Sequence, residues 1–218
     1  RKPAKWLRFL AIASGKLNTV YPSLRCDYYL EIKKKLFSRE FKENIDIYRS
    51  KRKYQILYSQ TDAENYIEQL LDMDIRFTLP FDLLTKVDIA SMTNSLEVRV
   101  PFLDYRMIEF ANSLPANFKQ RGLTGKYILK QILKRYMPDD FIYRQKRGFS
   151  MPISYWMRND LKQFTCDIIF SDGIKQSQYF DYQYIIKLFN DHQNNIEDNS
   201  ATLWMLIIFE LWRREFFK

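Results

Sequence analysis

Helical spacing of apolar residues dominates this chain, and that periodicity limits the fold more than any other feature. Trp6, Phe9, Leu10, Ala13 and Leu17 fall on one helix face, and the stretch from Tyr28 to Leu36 reads as a second helix. A helix over 62–72 opens with Thr61 and Glu64 at capping-box spacing and carries Ile67, Leu70 and Leu71 on its apolar side. Pro80 ends an extended approach, after which a helix is predicted from about Asp82 to Ser95. Residues 96–103 alternate and then meet Pro101, so they read as a loop or short extended stretch. Asp104 is placed to cap a helix holding Met107, Ile108, Phe110 and Ala111 that stops before Pro115. Past a loop with Gly122 and Gly125, a helix is predicted from Lys126 to Tyr136, stopped by Pro138. Short helices follow at about 152–158, 159–170 and 181–193. The chain closes with a strongly apolar helix from about Ala201 to Phe217, whose Trp204, Ile207, Ile208, Leu211 and Trp212 predict burial on more than one side. There is no βαβ pattern, so the chain as seen is mainly α-helical.

Composition agrees. Five Gly and seven Pro in 218 residues argue against collagen-like, linker-like and most β-rich architectures. Hydrophobic residues at 46% can bury a real core, and 17 Phe, 15 Tyr and 4 Trp would build it from large flat side chains. Cys26 and Cys166 stand far apart with no CxxC, so neither a disulfide scaffold nor a zinc site is expected, and a reduced cytoplasmic setting is the default. The single histidine, His192, excludes mechanisms that need several imidazoles. No apolar run reaches the roughly 18–20 residues of a membrane helix, and no signal peptide is visible.

The net charge of +9 is concentrated near the start. Residues 1–60 hold 15 Lys/Arg against 5 Asp/Glu, whereas the remainder holds 20 against 21. The runs Lys33-Lys34-Lys35 and Arg49, Lys51, Arg52, Lys53 could contact phosphates. No nucleic-acid motif accompanies them, and Tyr48 and Tyr54 interleave only loosely. A solvated helix face is therefore the favoured reading, and nucleic acid is not the expected partner.

Standard catalytic constellations are mostly absent: no GxSxG, HExxH, EF-hand loop or Walker A occurs, and Ser14-Gly15-Lys16 lacks the spacing of a phosphate loop. Two polar segments are out of place. Glu97 and Arg99 thread an apolar stretch directly before Pro-Phe-Leu, where each charge needs a partner if buried. They make either a structural ion pair or a fixed carboxylate and guanidinium that orient a substrate. Arg144, Lys146 and Arg147 surround Gly148, which suits either a solvated basic loop or close approach to a departing pyrophosphate.

Four blocks bear a resemblance. The stretch from Leu83 to Asp104, including Asp88, Glu97 and Arg99, closely resembles the signature of glutamine-dependent asparagine synthetases. So do Gly125-Lys126-Tyr-Ile-Leu-Lys130, Arg144-Gln-Lys146-Arg-Gly148-Phe149 and the closing Leu203-Trp204 to Trp212-Arg213-Arg214. The resemblance implies an enzyme in which glutamine supplies ammonia, ATP with Mg²⁺ adenylates the side-chain carboxylate of aspartate, and ammonia displaces AMP to give asparagine. It makes Lys146 the lysine that stabilises the adenylation transition state and pyrophosphate. It places Glu97 among the catalytic residues and Asp88, Arg99, Lys126 and Arg147 on the substrate and ATP side, with no metal ligand in this piece.

The family's Ser-Gly-Gly-x-Asp-Ser pyrophosphate loop, its acidic Mg²⁺ segment and its N-terminal glutaminase domain have no counterpart here, and the chain opens Arg-Lys-Pro without an initiator Met. The expectation is one incomplete domain. Residues 1–75 form a basic helical segment with weak resemblance, and 76–218 form the C-terminal helical part of an α/β adenine-nucleotide α-hydrolase-like synthetase domain. Its parallel sheet and pyrophosphate loop would lie upstream, so the piece alone should be inactive and prone to self-association. The oligomeric state is left open, with a homodimer among the options, and no membrane partner is expected. The same fold and lysine also serve β-lactam synthetases, lasso-peptide cyclases and amidotransferases acting on cell-surface sugars, so the acceptor carboxylate stays open.

Overall fold

The computed structural model describes residues 29–145 and 151–217, and the helix predicted around Trp6 to Leu17 lies outside the described residues. These residues divide into two compact units: 29–55 with 151–217, and 56–145.

In the first unit, helix α1 (29–36) is followed by α2 (Arg39–Asn44), whose N-cap Ser38 accepts the Phe41 N–H, and by the start of α3 (Arg49–Ser59). The rest comprises α10 (Ile153–Arg158), α11 (Lys162–Ile169), α12 (Asp172–Lys175), α13 (Tyr182–Gln193) and α14 (Ser200–Phe216). Asp181 caps α13 by accepting from the Tyr184 N–H. Leu203, Leu206 and Ile207 of α14 pack into a cluster with Met157, Ile168, Ile169, Ile174, Ile185, Leu188 and Phe189. Burying each such side chain is worth about 1.5–3 kcal/mol. The other side of α14 differs from expectation. Ile208, Leu211 and Trp212 are exposed, because the buried face follows Leu203, Leu206, Ile207 and Glu210 at intervals of three and four.

Backbone contacts stitch the early segment onto this core. The Asp181 N–H donates to the Leu36 carbonyl at 2.8 Å and the Ser38 N–H to the Tyr179 carbonyl at 3.0 Å. Two ionisable groups are buried there as well. Glu210, 1% exposed, accepts from Arg213 Nε at 2.7 Å and Arg214 Nε at 2.9 Å. His192 is fully buried, with Nδ1 accepting from Arg158 Nη2 at 3.3 Å.

In the second unit, α4 (Tyr66–Met73) leads directly into a π-helix (Asp74–Leu84) and then α5 (Thr85–Met92). Two expectations change here. The cap of α4 is Asn65, which accepts the Glu68 N–H, while Thr61 Oγ1 accepts from the Ala63 N–H in a local turn instead of forming the predicted capping box. The extended approach to Pro80 is replaced by the wide helical turn. Pro80 lacks an N–H and its ring crowds the carbonyl four residues back in an α-helix; a wider turn relieves that crowding. The Thr85 hydroxyl donates to the Pro80 carbonyl at 2.7 Å.

Residues 96–100, in neither helix nor strand, reach a 3₁₀ turn (Pro101–Leu103) through an extended Val100, and Asp104 caps α6 (Tyr105–Ser113) as predicted. After α7 (Ala116–Lys119), the predicted glycine loop is a small hairpin of β1 (Gln120–Arg121) and β2 (Thr124–Gly125), paired antiparallel. Gly122 turns it at φ +57°, the left-handed conformation that a two-residue hairpin turn needs. Helices α8 (Tyr127–Leu133) and α9 (Asp139–Ile142) complete the unit. The described residues are thus mainly helical, as expected, and among them no helix is long and apolar enough to cross a membrane.

Candidate functional site

Glu97 and Arg99 sit two residues apart in a stretch that forms neither helix nor strand. They meet there: Arg99 Nη2 lies 2.6 Å and Nε 2.8 Å from Glu97 Oε1. The pair is largely open to solvent, so it contributes at most about 1 kcal/mol to stability. Leu96, Val98 and Val100, the apolar residues that alternate with it, are exposed too. Asp88 lies in the first turn of α5. Lys126 is the N-cap of α8, in the left-handed conformation at φ 55°. Both are exposed, and neither side chain has a hydrogen-bond or ion-pair partner among the described residues. The structure therefore joins Glu97 to Arg99 and leaves Asp88 and Lys126 unlinked to that pair. Lys146 and Arg147 lie outside the described residues.

The residues just before Lys146 are held by aromatic and charged neighbours. The Tyr143 ring carries Lys130 Nζ and Lys134 Nζ, each 5.3 Å from its centroid, and its hydroxyl lies 3.4 Å from Gln131 Nε2. The Arg144 guanidinium lies 4.6 Å from the Phe141 ring. Asp139, 3.5 Å from Lys134 Nζ, holds that ammonium above its ordinary pKa. Lys130 of the Gly125–Lys130 block thus meets Tyr143, the residue before Arg144, and three cations collect just ahead of Lys146 in the chain. Sequence reasoning missed Lys134 and Tyr143; aromatic residues immediately before a basic loop were the available signal.

A second feature it missed is the bidentate pair beside Pro101-Phe102-Leu103. Arg106 Nε and Nη2 donate to the two Asp104 carboxylate oxygens at 2.9 and 2.8 Å. Those bonds, with the one from the Arg106 N–H, hold the Asp104 carboxyl below the usual range. Among the described residues no three carboxylate, imidazole or thiol groups converge to hold a metal ion.

The profile of one family, asparagine synthase, matches residues 1–214. The chain belongs to the asparagine synthase family. It is 31% identical to asparagine synthetase [glutamine-hydrolyzing] 1 of Bacillus subtilis over 155 residues, which are 71% of this chain and 24% of that protein. A putative asparagine synthetase [glutamine-hydrolyzing] of Mycobacterium bovis is 32% identical over 73% of this chain and 24% of its own length. A third relative, asparagine synthetase [glutamine-hydrolyzing] 3 of Bacillus subtilis, is 34% identical over 43% of this chain and 15% of its own length. The chain spans about a quarter of the length of the first of these curated relatives. No solved structure matches it.

Proposed function

We propose that this chain supplies the C-terminal helical part of a cytoplasmic, glutamine-dependent asparagine synthetase. ATP would adenylate the side-chain carboxylate of aspartate with release of pyrophosphate, and ammonia from glutamine would then displace AMP to give asparagine. A free carboxylate is a poor electrophile because it carries full negative charge and no good leaving group; the acyl-adenylate has both defects removed. The pyrophosphate loop, the Mg²⁺ ligands and the glutaminase domain would belong to the three quarters of the relatives' length that this chain does not span.

Within that scheme, the chain's own contribution is positive charge and orientation. Lys146 neutralises the pyrophosphate as it leaves, and Arg147 adds to the field around the phosphates. Arg99, held by Glu97, offers a planar fork to a substrate carboxylate. Asp88 and Lys126 make further contacts with aspartate or ATP. The observation that carries the reading is the gathering of Lys130, Lys134 and Arg144 on the Tyr143 and Phe141 rings just before Lys146 in sequence, in a chain of this family.

The test is aspartate-dependent pyrophosphate release from ATP, measured on the protein expressed with its in-frame upstream coding sequence. Lys146→Ala should lower the rate by roughly 10²–10³-fold. Glu97→Gln should lower it too, while moving the unfolding midpoint little, because the exposed pair adds at most about 1 kcal/mol. Unchanged release in the Lys146 variant would sink the reading; release driven by a different carboxylate would keep the chemistry and replace aspartate as the acceptor.

A further inference from the structure

The proposed amidation leaves the basic segment at 29–55 without a task, and the fold arranges that segment in a way the sequence did not show. Lys33 Nζ on α1 reaches Ser50 Oγ on α3 at 3.5 Å, which brings Lys33 against the 49–53 run. Lys42 Nζ, on α2, donates to the Lys34 carbonyl at 3.0 Å, so a third helix adds its cation to the same region. Arg49 and Lys53, four residues apart on α3, share a face next to Ser50.

Acidic neighbours offset only part of this charge. Lys34 pairs with Glu31, Arg39 with Glu43 and Arg52 with Asp46. Lys33, Lys35, Lys42, Arg49 and Lys53 have no carboxylate partner among the described residues. A cation whose partners are neutral oxygens or water gains most from a polyanion, because binding releases the polymer's condensed counterions. Beside Arg49, Tyr48 stands 44% exposed, whereas Tyr54 is buried in its own unit. An exposed ring among unpaired cations suits a polymer with flat faces between its charges; an acidic peptide offers charge without a base to stack.

We propose that residues 29–55 form a docking surface for single-stranded nucleic acid, with Lys33, Arg49 and Lys53 on phosphates and Tyr48 stacked on a base. Three to five phosphate contacts predict a roughly 20- to 130-fold loss of affinity between 50 and 200 mM salt. The measurement is fluorescence anisotropy of a labelled 20-nucleotide oligo(dT) titrated with the whole chain, with polyglutamate of matched charge as competitor. Binding at 50 mM salt should fall by at least roughly 20-fold in the Lys33→Glu/Arg49→Glu/Lys53→Glu variant and by roughly tenfold in Tyr48→Ala. Polyglutamate should compete poorly.

Circular dichroism checks that each variant keeps its helices, and the milder Lys33→Gln/Arg49→Gln/Lys53→Gln set replaces the charge reversals if it does not. No binding at 50 mM salt overturns the proposal. So does full affinity in the triple variant, which would move the charge that matters elsewhere in the chain. Equal competition by polyglutamate, with Tyr48→Ala silent, would make the surface a site for acidic protein segments instead.

Discussion

The two units carry similar helical patterns and treat their apolar side chains in opposite ways. In the first, the main packing joins elements distant in sequence: α10 and α11 lie against α14, and α10 against α13. Leu203, Ile207, Ile169, Ile174 and Ile185 are consequently sealed from water. In the second, the main contacts run between sequence neighbours, as α4 and α5 with the π-helix or α7 with α8. Phe81, Ile89 and Phe102 stay more than 60% exposed. Periodicity names the face that favours burial, but not the surface that buries it. Under the proposed function, the faces left open in the second unit would take the upstream sheet as their cover.

The sharpest way to break this contrast is to truncate one residue on each side of it. Leu203→Ala should cost about 2–5 kcal/mol in urea unfolding, since it empties a sealed site. Phe102→Ala should stay within about 0.5 kcal/mol, because its ring already meets water. Equal losses would mean that the second unit has a core of its own.

Acid should also act on the first unit through its buried ionisable groups. Burial, and then the Arg158 guanidinium, lower the His192 pKa, with Asp198 opposing. The unfolded chain therefore takes up a proton first, and stability falls as pH drops from about 6.5 toward the lowered native value. Hydrogen bonds from Arg213 hold the Glu210 carboxyl below its ordinary pKa, against the opposing effect of burial. Its contribution is complete above the ordinary carboxylate range and disappears as pH falls through the lowered native value. Unfolding midpoints followed from pH 8 to 3 should show both declines, and His192→Gln should remove the first. A profile that is flat between pH 7 and 5.5 would contradict the buried neutral imidazole.

A smaller effect tests how closely the first unit is built. A Cβ at Gly173 would lie 2.3 Å from both Arg213 Nη2 and Glu210 Oε1. Alanine would otherwise favour helix α12 by up to about 1 kcal/mol. Because Glu210 is sealed in and cannot swing away freely, Gly173→Ala should be net destabilising by about 1–2 kcal/mol. A stabilised variant would show that the ion pair yields easily.

The mainly helical character, the α6 cap at Asp104 and the family were all legible in the sequence, since each rests on short-range spacing or on residue order. The Glu97–Arg99 ion pair was legible too, as one of two readings of a charged pair threaded through an apolar stretch. Its exposure was not, because burial depends on what arrives from elsewhere in the chain. The same limit explains α14, where sequence marks both sides as apolar and packing covers one. It also explains the π-helix through Pro80, where continuity of the flanking helices overrode the local proline signal. Local periodicity sets which elements form; only tertiary structure decided that Lys130 meets Tyr143 and Lys33 meets Ser50, because contacts across 13 and 17 positions depend on where whole helices come to rest.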